Sequence, residues 1–299
     1  MTTKDIPEHQ TSYNHSAPQT IPGYQFQEKL GAGGMGVVFK AQDIKNNRIV
    51  ALKILYPRTV QNKVLLTRFI REAQLLIKFN HPNIVKGYNA GSFKGMYFLA
   101  MEYVDGKSIA ELIKEKGPVK EDLALDIILQ TTRALDYMQN QGVLHRDIKP
   151  DNLLFLAITN TIKLCDLGFA QSIACSTTNT SSSDTTCGTP QYMSPEQARG
   201  QMDLDIRSDI YSLGATFYHL ITGKTPFKGA DNLEIMAKQV LEDLQSDEIK
   251  NRRLSPLTLY FIEKMMAKEK EIRYQNPREV IEDIQTQVSG YKSLEYKPR

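Results

Sequence analysis

At roughly 150 residues per domain, a chain of 299 residues suggests about two compact units and needs no disulfide staples to bury most of its apolar surface. Its 37 Lys and Arg against 34 Asp and Glu leave a formal charge of +3, too weak and too scattered to make nucleic acid or an anionic membrane the first-choice partner. Three cysteines, Cys165, Cys175 and Cys187, show no paired or metal-binding spacing, and no apolar run nears the ~18 residues of a membrane helix, so the chain reads as reduced, soluble and cytoplasmic. One oddity is the absence of Trp against 14 Tyr.

Residues 1–20 are polar and aperiodic and read as a disordered tail, with structure beginning near Ile21. Strand-like segments follow at Val37–Phe39, Ile49–Leu55 and Met96–Val104, around one helical segment, Val64–Phe79. That predicts a small sheet with one long helix. After Asp105-Gly106 the pattern turns mostly helical: Asp122 to Gln141 closed by Gly142, Ser208 to Thr222 closed by Gly223, and stretches from Asn232, Ser255 and Asn276. Phe169 to Thr186 is Ser-, Thr- and Asn-rich without periodicity and reads as a long exposed loop.

Gly31-Ala32-Gly33-Gly34-Met35-Gly36 is a G-x-G-x-x-G run. A dinucleotide fold would open a helix there, but Val37, Val38 and Phe39 follow, so the run should turn between two strands. Alone it fits a phosphate-binding loop or a plain hairpin. Gly223-Lys224-Thr225 resembles a Walker lysine, but Tyr218 stands where the earlier glycine is required, and the triplet reads as a helix end. Lys53 lies in the apolar strand Val50-Ala51-Leu52-Lys53, where a cation needs an anionic partner; Glu72 on the next helix is the candidate.

The most specific segment is Val143-Leu144-His145-Arg146-Asp147-Ile148-Lys149-Pro150-Asp151-Asn152-Leu153-Leu154. With the glycine run, Lys53, Glu72 and Asp166-Leu167-Gly168 in order, the chain resembles a eukaryotic-type serine/threonine protein kinase catalytic domain. The resemblance implies an α+β, bilobal fold: a small antiparallel sheet lobe with one long helix, about 21–104, and a larger, mainly helical lobe, 105–290, followed by a tail at 291–299. It implies ATP and Mg²⁺, with Mn²⁺ as an alternative, in the cleft between the lobes. Gly31, Gly33 and Gly36 would cover the phosphates, and Lys53 would hold them, oriented by Glu72. Asn152 and Asp166 would be the metal ligands. Asp147 would accept and orient the substrate hydroxyl, Lys149 would neutralise the transferring phosphate, and Thr189 would bond both. Leu30, Val38, Ala51 and Leu154 would sandwich adenine, with Met101 as gatekeeper and Glu102 to Val104 as hinge. His145 would be structural, not a general base.

Lys149 and the segment Cys187 to Glu196 resemble serine/threonine kinases, with Glu196 expected to pair with Arg273. Met101 to Gly106, Gly188 to Gly200 and Asp209 to Gly214 are most similar to the bacterial members, and Tyr211 stands where many eukaryotic relatives have Trp. The expected substrates are protein Ser/Thr hydroxyls. Autophosphorylation between two copies is also expected, at hydroxyls among Ser172, Ser176, Thr177, Thr178, Thr180, Ser181, Ser182, Ser183, Thr185 and Thr186, with Arg146 receiving the phosphate. The alternative is a pseudokinase, a nucleotide-binding scaffold without transfer. Leu167 replaces the commoner Phe and should keep its packing role.

Overall fold

The computed structural model describes residues 20–167, 171–172, 189–244 and 254–294, with backbone alone for 171–172 and 288–294. Strands β1 (Tyr24–Ala32), β2 (Gly36–Asp43), β3 (Arg48–Leu55), β4 (Gly87–Phe93) and β5 (Met96–Glu102) make an antiparallel sheet in the order β1-β2-β3-β5-β4. The glycine run is the turn between β1 and β2, as its β-branched successors require. β4, sequence GYNAGSF, escapes detection by pattern because its glycines and Asn are poor strand formers; pairing to β5 from Gly87↔Met101 to Phe93↔Met96 overrides them.

Between β3 and β4 run α1 (Pro57–Gln61) and α2 (Lys63–Lys78). Asn62 caps α2, its side-chain oxygen accepting from the N–H groups of Val64 and Leu65, and the helix buries Phe69, Glu72, Ala73 and Leu76 on one face. β4 lies so close that a Cβ on Gly87 would sit 2.7 Å from the backbone of Leu76 and Ile77. Lys86 extends its ammonium onto the Ile77 and Phe79 carbonyls, 3.1 and 2.5 Å, satisfying orphan acceptors at the C-terminal end of the helix.

The second lobe holds β6 (Lys107–Ser108), α3 (Ile109–Lys116), α4 (Glu121–Asn140), β7 (Val143–Leu144), β8 (Leu153–Leu156), β9 (Thr161–Leu164), β10 (Gln171–Ser172), α5 (Pro195–Ala198), α6 (Ile206–Thr222), α7 (Asn232–Leu241), α8 (Pro256–Met265) and α9 (Pro277–Leu294). Strands of two to four residues are too short to print an alternation, so the sequence shows only helices here. β6, β8 and β9 form one small sheet, and β7 pairs with β10. α6 is buried almost all round and forms the axis of this lobe; Gly214 lets it pass α8, where a Cβ would lie 2.6 Å from that of Met265. Gly223 ends α6 in the left-handed conformation at φ 71°, so Gly223-Lys224-Thr225 is the helix end expected. No helix among the described residues is long and apolar enough to cross a membrane.

Candidate active site

Register places the first group of residues. Val38 pairs with Lys53 and Lys53 with Leu99, while Ala51 pairs with Met101, so Val38, Ala51, Lys53 and Met101 share one sheet face. On that face the Lys53 Nζ donates to both Glu72 carboxylate oxygens at 2.9 Å and lies 3.9 Å from Asp166 Oδ1. Burial alone would depress the Lys53 ammonium, but Glu72 and Asp166 outweigh it and hold its proton above the ordinary lysine range. Burial pushes the Glu72 carboxyl up against the pull of Lys53, so the pair breaks first by protonation of Glu72 as the pH falls. Glu102, at the end of β5, is engaged by its side chain with Lys163 at 2.7 Å and the Lys86 N–H at 3.2 Å, and its own N–H donates to Lys86 O. Leu30 is 42% exposed on β1.

The glycines of the turn differ in what they permit. At Gly36 a Cβ would fall 2.1 Å from the Ile54 carbonyl oxygen, whereas at Gly33 it meets nothing within 4 Å. Gly36→Ala should therefore lower stability by about 1–3 kcal/mol through overpacking. Gly33→Ala should stay within about 0.5 kcal/mol. Thermal denaturation of the two variants checks the contrast; equal melting temperatures would refute it.

The segment between β7 and β8 carries the densest polar network. Asp209 of α6, fully buried, accepts from the N–H groups of His145 and Arg146, both at 2.8 Å. Holding two successive N–H groups fits the backbone at Arg146, which turns to φ 70°, a strained conformation for a side chain of that size. His145 is buried, with its Nδ1 accepting from the Asp147 N–H at 3.3 Å and its Nε2 3.4 Å from Cys165 O, a structural placement. Asp209 was not among the residues singled out as functional. The available signal was an acid inside the apolar pattern of a central helix.

Asp147 is 3% exposed, and its carboxylate is clamped from three sides. Oδ2 accepts from Lys149 Nζ at 2.6 Å; Oδ1 accepts from the Thr189 N–H and hydroxyl, both at 3.0 Å; and Asn152 Nδ2 donates to Asp147 O at 2.8 Å, with Oδ2 at 3.3 Å. Lys149 also donates to the Thr189 hydroxyl at 2.7 Å. A carboxylate so held can accept a further proton in one fixed direction. Asp166 follows β9 at φ 59°, with its side chain 47% exposed. Burial pushes the thiol of adjacent Cys165 up to about 12, leaving it an inert thiol at neutral pH.

Asn152 and Asp166 offer hard oxygen donors suited to Mg²⁺, which keeps waters and binds one or two side chains plus substrate phosphates. With its Nδ2 committed to Asp147, Asn152 retains its side-chain oxygen for such a role. Among the described residues no group of three or more His, Cys, Asp or Glu could hold a metal without such help.

Residues 189–197 are pinned at several points. Tyr192 OH lies 2.7 Å from His219 Nδ1; Gln197 Nε2 donates to Arg146 O at 3.0 Å; and Glu196 takes Arg273 bidentately at 2.6 and 2.9 Å, the pair expected from sequence. Gly168, Cys175, Cys187 and the hydroxyls from Ser176 to Thr186 lie outside the described residues, as does the side chain of Ser172.

Residues 24–284 match the family model described as the protein kinase domain. The chain belongs to the protein kinase domain family. It is 36% identical over 265 residues to the serine/threonine-protein kinase PknB of Mycobacterium tuberculosis (strain ATCC 25618 / H37Rv), covering 87% of this chain and 42% of that protein. It is 34% identical over 262 residues to "Probable serine/threonine-protein kinase CPE1738" of Clostridium perfringens, covering 88% of this chain and 38% of that one. It is 33% identical over 267 residues to "Probable serine/threonine-protein kinase PknB" of Lactococcus lactis, covering 89% and 42%. The chain thus spans about two fifths of the length of these curated relatives. The bilobal α+β expectation and the likeness to bacterial serine/threonine kinases are borne out.

Proposed function

We propose that this chain is a serine/threonine protein kinase, its catalytic domain at 21–290, moving the γ-phosphoryl group of ATP to Ser or Thr hydroxyls of proteins in the cytoplasm. The observation that carries the reading is the Asp147 carboxylate held at once by Lys149 and Thr189. In this reading Asp147 orients the acceptor hydroxyl and takes its proton, and Lys149 compensates charge on the transferred group. Lys53, fixed by Glu72, holds the nucleotide phosphates under the glycine turn. The adenine contacts fall to Leu30, Val38, Ala51, Leu154 and the backbone of Glu102 to Val104, behind Met101. Asn152 and Asp166 would hold Mg²⁺, which when bound neutralises phosphate charge.

A pseudokinase typically lacks one of Lys53, Asp147, Asn152 and Asp166, and all four stand here, so that alternative has no support. We further propose autophosphorylation between two copies in the Ser- and Thr-rich segment after Leu167. Purified protein with labelled ATP, Mg²⁺ and a generic protein acceptor should place label on Ser and Thr of the acceptor, by phosphoamino acid analysis, and on its own Ser- and Thr-rich segment. Lys53→Met should abolish both. Label absent from wild type, or equal in wild type and Lys53→Met, would overturn the reading.

A further inference from the structure

Gln239 of α7 is fully buried, yet it is not a core residue by chemistry. Its Oε1 accepts from the Tyr211 hydroxyl at 2.7 Å, and its Nε2 donates to the Pro190 carbonyl at 3.0 Å. Tyr211, itself fully buried on α6, accepts from Lys268 Nζ at 3.3 Å, and Lys268 also donates to Gln239 O at 2.8 Å. All donors point one way: Lys268 to Tyr211, Tyr211 to Gln239, Gln239 to Pro190.

Pro190 follows Thr189, whose N–H and hydroxyl both hold Asp147 Oδ1 at 3.0 Å. The proline ring locks φ at residue 190, so few soft torsions separate its carbonyl from the Thr189 donors. The Tyr192 N–H donating to Thr189 O at 2.9 Å closes the same turn. A methionine would fill the volume of Gln239 without the expense of burying an amide. What the amide supplies beyond packing is a fixed position for this turn.

We propose that Gln239, oriented by Tyr211, is a positioning residue for phosphoryl transfer: through Pro190 and Thr189 it fixes the Asp147 carboxylate. The proposal rests on the reading of Asp147 as the group that orients the acceptor. Tyr211 is suited to the part because its hydroxyl both accepts from Lys268 and donates to Gln239, whereas an indole in its place has one donor and no acceptor.

The test is steady-state kinetics with Mg-ATP and a fixed protein acceptor on wild type, Gln239→Met, Tyr211→Phe, Thr189→Ala and the Gln239→Met/Thr189→Ala double variant. Gln239→Met should lower kcat by about 10- to 100-fold, the scale of a misplaced reacting group. Its KM for ATP should stay within about twofold, since the nucleotide face of the sheet is untouched. Tyr211→Phe, which removes one oxygen and keeps the ring, should lower kcat by about threefold and decides the matter if Gln239→Met does not fold. Because the route runs through Thr189, the loss from Gln239→Met should shrink to about threefold or less in the Thr189→Ala background. An undiminished loss there, a raised KM for ATP with unchanged kcat, or wild-type kcat in both single variants would overturn the proposal. An inactive wild type would instead overturn the kinase reading on which it rests.

Discussion

Asp147→Asn should lower kcat by about a thousandfold, the middle of the range for removing a general base, while KM for ATP stays within about twofold. The substitution keeps the shape of the side chain but removes its charge, and it also reverses a hydrogen bond. In the native site both oxygens face donors: Lys149 Nζ at Oδ2, and the Thr189 N–H and hydroxyl at Oδ1. Either orientation of an asparagine amide therefore sets its NH₂ against an ammonium or a backbone N–H. Lys149 and Thr189 would shift apart, and the acceptor would lose both its proton sink and the groups around it. In the proposed reading nucleotide affinity rests on Lys53 and Glu72, whose ion pair does not involve Asp147, so titration with a fluorescent ATP analogue should give wild-type binding. A hundredfold loss of nucleotide affinity, or a kcat within tenfold of wild type, would remove Asp147 from the acceptor side of the reaction.

How much of this could be read from sequence depends on the distance over which each interaction acts. The glycine turn, α2 and α6 are specified locally, by β-branched residues after Gly36, by the Asn62 cap and by the Gly223 stop, and they fold where the pattern puts them. Lys53 and Glu72 lie 19 residues apart, and an ammonium in an apolar strand announces the need for a partner. The Asp209 carboxylate reaches 64 residues back to the His145 N–H; an acid inside the apolar pattern of α6 signals that a partner is needed, but nothing in the sequence says that the partner is that backbone. The part Lys86 plays is visible only in the fold, which carries its ammonium to the carbonyls at the end of α2. Gln239 is still less visible: an isolated glutamine on an amphipathic helix is ordinarily solvated, and its burial follows from how α7 packs on the turn at Pro190. The motifs thus named residues that the fold brings together, Lys53 with Glu72 and Asp166, and Asp147 with Lys149, Asn152 and Thr189, while the groups that hold them depend on long-range packing that one sequence does not display.

The largest effect on stability should come from Arg273. Its side chain is fully buried, and all five N–H donors are satisfied: Nε by Ala267 O at 2.6 Å, Nη1 by Glu196 Oε1 at 2.6 Å and Arg207 O at 3.2 Å, and Nη2 by Glu196 Oε2 at 2.9 Å and Lys268 O at 2.8 Å. Arg273→Met strands the Glu196 carboxylate, 4% exposed, leaving it among the described residues only Ser208 as a side-chain hydrogen-bond partner, and should destabilise the fold by about 3–5 kcal/mol, the range for breaking a buried pair from one side. At about 2 °C per kcal/mol for a domain of this size, the melting temperature should fall by about 6–10 °C. Arg273→Lys should recover little, since three donors cannot replace a five-donor fork. Adding Glu196→Leu to Arg273→Met should recover part of the loss, because an apolar pair avoids the stranded charge. The pH dependence has a definite sign. Burial would raise the Glu196 carboxyl, but Arg273 and Ser208 outweigh it and hold it below its ordinary value of 4.5, so the stabilisation is complete above that value and disappears as the pH falls through the lower, folded one. In Arg273→Met the same carboxyl, buried without its cation, should protonate at a higher pH and shed its penalty earlier. The gap in melting temperature between wild type and Arg273→Met should therefore be widest near neutrality and narrow as the medium is acidified, and a gap constant between pH about 7 and about 4 would show that the arginine stabilises by packing alone.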